Sequence, residues 1–292
     1  MIVLKWYIEF YYEINIKKII KKNNEFYIVG KHNNYIFRRV DISKINYNLL
    51  FLTQKIKKFH TILKNKEGSI TTKIENNMYV LMQINLIENK KITFEDVIAV
   101  LNYFNHKNSI KLEIIRNNWI KKVDMFEKYI VTRNDLNCRE YYDYFIGLSE
   151  NAIKYCMYVN SSPFSLGITY KRIEKNWKLF DLYNPLNVTE GLVVFSIAEY
   201  FKNVETDDKN IDSLIEKTIF LLNLSRNDFV ILISRMMFPT YFYDLFLDNK
   251  NINNFYDLYR KSIYVENCIK RIYTIAQKKH DYMPQINWIT ER

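Results

Sequence analysis

The sequence predicts an α+β protein of two lobes, a small β-rich one over residues 1–88 and a larger helical one over 89–292. Three observations lead there. Roughly the first 85 residues alternate short apolar runs with Asn-rich turns, the signature of strands and hairpins. From about residue 90 onward the pattern becomes helical, with apolar residues recurring every three or four positions, as on one face of a helix. Pro163, Gly167, Pro185 and Gly191 then fall in one interval and mark a turn-rich break inside the helical part. With 292 residues, 48% hydrophobic and 26% charged, the chain can bury roughly three quarters of its unfolded surface without a metal or disulfide staple.

In order, Asn15 to Ile20, Glu25 to Gly30 and Tyr35 to Val40 read as three strands, joined through Lys22-Asn-Asn24 and His32-Asn-Asn34. Ile45, Leu49, Leu52, Ile56, Phe59 and Leu63 predict one helix within 43–66, ended by Gly68. Ser69 to Ile74 and Met78 to Ile84 form a hairpin about Glu75-Asn-Asn77, which completes a five-stranded antiparallel sheet with one helix. In the helical part, Leu112, Ile115, Trp119, Phe126 and Ile130 mark one helix. Phe145, Leu148, Ala152 and Tyr155 mark the next. Ser225 with Asp228 resembles a capping box for a helix that Pro239 ends, and a last helix runs from about Val265 to Lys279.

Charge is unevenly placed. Residues 1–66 hold 14 Lys and Arg against 4 Asp and Glu, a net +10, while the rest hold 29 against 28. A basic N-terminal patch attracts nucleic acid, anionic lipid or an acidic protein surface. Lys55, Lys58 and Lys66 lie off the apolar face of the predicted helix and are the candidate interaction patch. Lys5 and Glu9 interrupt any secretory apolar core, and no run approaches a membrane span, so cytoplasmic synthesis is expected. Cys138, Cys156 and Cys268 are widely spaced and read as buried thiols.

Four phrases carry a resemblance: Tyr144-Phe-Ile-Gly-Leu-Ser-Glu-Asn-Ala-Ile-Lys-Tyr155; Asn184-Pro-Leu-Asn187 with Ile197-Ala-Glu-Tyr-Phe-Lys202; Ile231-Leu-Ile-Ser-Arg-Met-Met-Phe-Pro239; and Ile286-Asn-Trp-Ile289. In this order they resemble the CotS/YutH family of spore-coat proteins. The resemblance covers residues 110–290, and the N-terminal lobe matches in layout only. It implies a bilobal protein-kinase-like fold of the aminoglycoside phosphotransferase kind.

Such a fold transfers phosphate only with particular groups in place: a cation on the third strand, a carboxylate on the following helix, a base and ligands for Mg²⁺. Arg38 takes the cation position, and as a planar fork it differs from a compact ammonium. The 43–66 stretch has no Asp or Glu, and no glycine precedes Gly30 to form a phosphate loop. Residues 107–279 contain no His and 144–180 no Asp, so no catalytic residue is assigned. Asp181 is the one carboxylate near a metal-binding position; its other reading is a turn or cap ahead of Asn184-Pro185. Val194-Phe-Ser196 stands where the resembled family often has Arg-Asp, and Arg235 reads as a partner in an internal salt bridge. The four histidines, His32, His60, His106 and His280, do not pair at metal-ligand spacing, and no metal or other cofactor is expected.

The expectation is therefore a non-catalytic kinase-like protein, made in the cytoplasm and recruited to the spore coat, with other coat proteins as partners. Two alternatives stand beside it: a divergent small-molecule kinase or nucleotide binder using Arg38 and Asp181, and a nucleic-acid-binding module using the basic N-terminal lobe.

Overall fold

The computed structural model describes residues 2–22, 25–85, 90–102, 105–133, 139–159, 164–203, 208–247 and 255–287. The elements run α1 (Ile2–Tyr12), β1 (Ile16–Lys22), β2 (Glu25–Gly30), β3 (Asn34–Val40), α2 (Tyr47–Gln54), β4 (Thr61–Leu63), β5 (Thr72–Ile74), β6 (Asn77–Gln83), α3 (Phe94–Leu101), β7 (Asn105–Ile110), α4 (Leu112–Arg133) and α5 (Arg139–Cys156). They continue with β8 (Phe164–Tyr170), α6 (Leu179–Leu182), β9 (Val188–Gly191), α7 (Val193–Asn203), α8 (Asp208–Leu222), α9 (Arg226–Met237), α10 (Thr240–Leu247) and α11 (Phe255–Lys279). Two compact units result. The first holds residues 1–97 and 176–189, the second 98–175 and 190–292. The first unit thus extends past residue 88 and takes back a later segment, which the expected 1–88 and 89–292 division did not include.

The first unit is built on an antiparallel sheet of order β1-β2-β3-β6-β4, with β5 also paired to β6. Alternation along the strands gives it two apolar faces. Tyr35, Phe37 and Leu81 pack under α1 with Ile8, Tyr12 and Ile28. Ile36, Val80 and Met82 face the other way and meet Phe180 and Leu186. The segment 176–189 is thereby part of this unit's core, which explains why it belongs here although it comes late in the sequence.

Six strands replace the expected five, and the predicted 43–66 helix is much shorter. Asn46 caps α2 by accepting from the Leu49 amide at 3.1 Å. After Gln54 the helix stops, and the Gln54 side chain spans the turn that follows, donating to His60 O at 3.1 Å and accepting from Ile62 N at 2.8 Å. Ile62 and Leu63, read as helical, instead pair with Met82 and Leu81. A three-to-four spacing is compatible with a helix followed by a strand, and here sheet pairing overrides it. Gly68, at φ +77°, forms a turn pinned by Asn65 rather than a helix cap. The helix α1 was not expected at all, although Leu4, Ile8 and Tyr12 share one spacing of four.

In the second unit the expected periodicities hold. Phe145, Ala152 and Tyr155 of α5 are buried, as are Trp119 and Phe126 of α4. Ser225 caps α9, its hydroxyl accepting from Asp228 N at 3.2 Å while Asp228 accepts from Ser225 N at 2.9 Å. The last helix begins ten residues earlier than expected, at Phe255. The turn-rich interval contains strands β8 and β9, in a sheet of order β7-β8-β9 through which β9 carries the chain out of the first unit. Cys156 and Cys268 are buried, and burial pushes the Cys156 thiol up to about 11, which suits an inert packing residue. Cys138 lies outside the described residues.

Candidate functional site

Arg38 and Asp181 both lie in the first unit. Arg38 on β3 shares a face with Ile36, directed at the 176–189 segment. Its Nε lies 3.3 Å from Glu25 Oε1, the residue opposite it on β2, and its Nη1 donates to Asn187 Oδ1 at 3.1 Å. Asn187 Nδ2 in turn donates to the Asp181 carbonyl at 2.9 Å. One amide therefore links the two residues. The Asp181 carboxylate itself accepts from Lys178 N at 3.0 Å, three residues back, and caps the short helix α6.

Beside this chain of contacts is a cavity of about 240 Å³, lined among others by Arg38, Arg39, Asn46, Leu49, Pro185 and Leu186. Ligand pockets are commonly about 300 to 1,000 Å³, so its volume suits a fragment rather than a nucleotide. His60, buried nearby in the same unit, accepts at Nδ1 from Asn85 N (3.3 Å), which places its proton on Nε2, donating to Phe180 O at 3.0 Å. Burial holds this imidazole down at about 4, so it is neutral at physiological pH.

The second unit holds a denser arrangement. Glu199 on α7 is wholly buried. Its Oε1 lies 3.0 Å from Arg235 Nη2 and 3.6 Å from Lys202 Nζ, and accepts from Thr240 Oγ1 at 3.2 Å. Arg172, just past β8, approaches Oε2 at 3.9 Å and clasps Asp244 through Nε and Nη2. Burial alone would raise the Glu199 carboxyl, but Lys202, Arg235 and Arg172 override it and hold it at about 2. Desolvation pulls Lys202 the other way, well below an ordinary ammonium, although its Nζ donates to Phe238 O at 2.9 Å. Arg235 also stacks on Phe195, with 4.8 Å from Cζ to the ring centroid. Nearby, Ser196 Oγ accepts from Tyr170 N at 2.8 Å and so ties α7 to the end of β8.

As placed, the Arg38 guanidinium faces a carboxylate on its neighbouring strand, and Asp181 caps a helix. Among the described residues, no three His, Cys, Asp or Glu side chains are arranged to hold a metal ion.

Comparison with solved structures places the architecture. Spectinomycin phosphotransferase in its AMP-bound complex superposes with a TM-score of 0.61 at 8% identity, over 93% of this chain and 97% of that one. The fold is that of the small-molecule phosphotransferases. An aminoglycoside phosphotransferase from Alicyclobacillus acidocaldarius gives 0.52 at 8% identity, over 92% and 93% of the two chains. A microcompartment-associated aminopropanol kinase gives 0.50 at 7%, over 97% and 99%. No protein-family model and no curated sequence matches the chain. The kinase-like, two-lobed α+β fold expected from the sequence is thus confirmed at the level of architecture.

The three lysines of the expected patch do not share a helix. Lys55 follows α2 with its Nζ 4.8 Å from the Phe51 ring centroid, Lys58 lies in a turn 5.8 Å from that of Tyr183, and Lys66 follows β4, 2.9 Å from that of Phe10. Each is laid against an aromatic ring of its own unit. Arg235, read as an internal salt-bridge partner, is one. The residues missed were Asn187, His60, Glu199 and Lys202. For the last two a signal existed: they are the only charges in the otherwise apolar stretch of α7, and they sit three apart.

Proposed function

We propose that this chain is a kinase-like protein that does not transfer phosphate and acts as a structural or interaction component. The supporting observation is that both residues left at catalytic positions, Arg38 and Asp181, serve the fold. The first is held by Glu25 and Asn187, the second caps α6. The absence of His from 107–279 and of Asp from 144–180 points the same way, since a general base typically contributes about 10²- to 10⁴-fold to rate. The four phrases resembling the CotS/YutH family supply the setting: cytoplasmic synthesis, then deposition in the spore coat among other coat proteins. Lys55, Lys58 and Lys66 belong in this reading to the basic surface that meets those partners.

The test is calorimetric and enzymatic. A binder at a nucleotide concentration of about 100 Kd gains about 2.7 kcal/mol of stability. We expect Mg²⁺-ATP to produce no such shift and no turnover on hydroxylated small molecules. A shift removed by Arg38→Ala, or turnover removed by Asp181→Ala, would establish the divergent-kinase reading instead. Retention of duplex or single-stranded nucleic acid with a steep salt dependence would favour the nucleic-acid reading. A fluorescent fusion that stays diffuse in sporulating cells would remove the coat assignment.

A further inference from the structure

We propose that the outer face of α1, with the lysines around it, docks the protein on an anionic lipid surface. This inference does not depend on whether the chain transfers phosphate.

The helix has two apolar faces. Leu4, Ile8 and Tyr12 point into the sheet. Val3, Trp6 and Phe10, spaced three and four apart, project together on the opposite side and are 66%, 58% and 47% exposed. Trp6 and Phe10 stack with centroids 5.2 Å apart, so the exposed stripe is a preformed aromatic ridge. Isolated apolar side chains on a surface are ordinary; a stacked tryptophan and phenylalanine with a valine one turn away are not.

Cations surround this ridge. Lys66 donates its backbone amide to Tyr11 O at 2.8 Å, which fixes it against α1, and its ammonium lies over the Phe10 ring. Lys5 lies one residue before Trp6. The next element, β1, is the edge strand of the sheet; its exposed Lys17 and Lys21 share the face of Ile19, which packs toward α1, while Lys18 and Lys22 lie on the other face. It is tied to α1 through Ile16 N donating to Glu9 Oε1 at 2.9 Å. Glu9, the helix's one acidic side chain, is occupied by that bond and by Lys5 at 3.8 Å. An amphipathic helix with Trp and Phe on its free face and lysines beside it is the chemistry of interfacial binding, in which rings enter the headgroup boundary and cations meet lipid phosphate. An acidic protein would satisfy the lysines but leave the aromatic ridge to find its own apolar groove. Among the described residues no helix is long and apolar enough to cross a membrane, so the contact is one of lying on the surface.

The experiment is co-sedimentation of the full chain with vesicles of phosphatidylcholine alone and with a quarter of phosphatidylglycerol, at low and high salt. We expect at least tenfold tighter binding to the anionic vesicles, falling steeply with salt, since each lysine brought to such a surface contributes about fivefold. Trp6→Ser with Phe10→Ser should abolish binding while circular dichroism and urea unfolding stay as in the wild type. Lys17→Glu with Lys21→Glu should weaken binding at least tenfold, whereas Lys18→Glu with Lys22→Glu, on the other face, should weaken it less. Quenching of fluorescence by brominated lipid, lost in Trp6→Phe although that variant still sediments, would place the ridge in the bilayer. Equal binding to both vesicles, binding to neither, or undiminished binding by the Trp6→Ser and Phe10→Ser variant overturns the proposal. So does a wild-type dimer that this variant converts to monomer without any vesicle contact, which would assign the ridge to a second copy.

Discussion

Charge is handled in opposite ways in the two units. In the first, the ion pairs stay near the surface: Arg38, a third exposed, meets Glu25, and Lys5 meets Glu9. In the second, Glu199, Lys202 and Arg235 are buried together, with Arg172 and Asp244 at the rim. An exposed pair adds typically 0.2 to 1 kcal/mol, whereas removing one partner of a buried network strands its neighbours at roughly 3 to 5 kcal/mol. The lesson is that a charged residue's place in a catalytic layout says little about its weight in the fold. The heaviest ones here are not at the expected nucleotide positions.

The contrast is broken most severely at Glu199. Glu199→Ala leaves Arg235 and Lys202 buried without an anion and should lower the unfolding free energy by about 3 to 5 kcal/mol, measured by urea titration. Should it cost under 1 kcal/mol, the second unit's network is no more than a surface pair. Acid tests the first unit next, through His60. Its pKa in the fold, about 4, is below its unfolded value of 6.5, so neutral imidazole is favoured by folding. Stability is unaffected above pH 6.5 and should fall by up to about 3 kcal/mol as pH drops from 6.5 to 4. Glu199 acts in a lower window, contributing above its unfolded 4.5 and losing its contribution as pH falls toward 2. His60→Gln should flatten the upper window only. Ser196→Ala should cost about 1 to 3 kcal/mol, since it leaves the buried Tyr170 amide without its acceptor, and hydrogen exchange at Tyr170 reports it directly. Arg38→Ala is expected to change stability least, by about 1 kcal/mol or less.

Long helices and hairpins were legible because their signals are local. The stripe of α5, the Ser225 to Asp228 cap and the hairpin about Glu75 each reside within a few residues. The 43–66 stretch was not, because what ends α2 is remote in sequence: Ile62 pairs with Met82, and His60 bonds Phe180. At the candidate site, Arg38 was legible on the third strand, and Asp181 was legible as a carboxylate ahead of Asn184-Pro185, open to either a nucleotide or a capping role. The amide of Asn187 that joins them did not, since no pattern announces which of several asparagines will reach back. The pairing of Glu199 with Arg235 was half visible: Arg235 was read as bridged, but its partner lay on another helix.

The remoteness of His60 from Phe180 has a consequence in time. At the end of the turn after α2, His60 N reaches Tyr183 O at 3.0 Å and His60 Nε2 reaches Phe180 O at 3.0 Å, 120 residues on. At translation rates of about 5 to 20 residues per second, those carbonyls emerge on the order of ten seconds after the imidazole. Through that interval β4, an edge strand, and the apolar face of Ile36, Val80 and Met82 wait without the segment that covers them. The first unit begins the sequence yet cannot close until residues 176–189 have been made, and a nascent chain stalled before residue 176 should be held by chaperones until release.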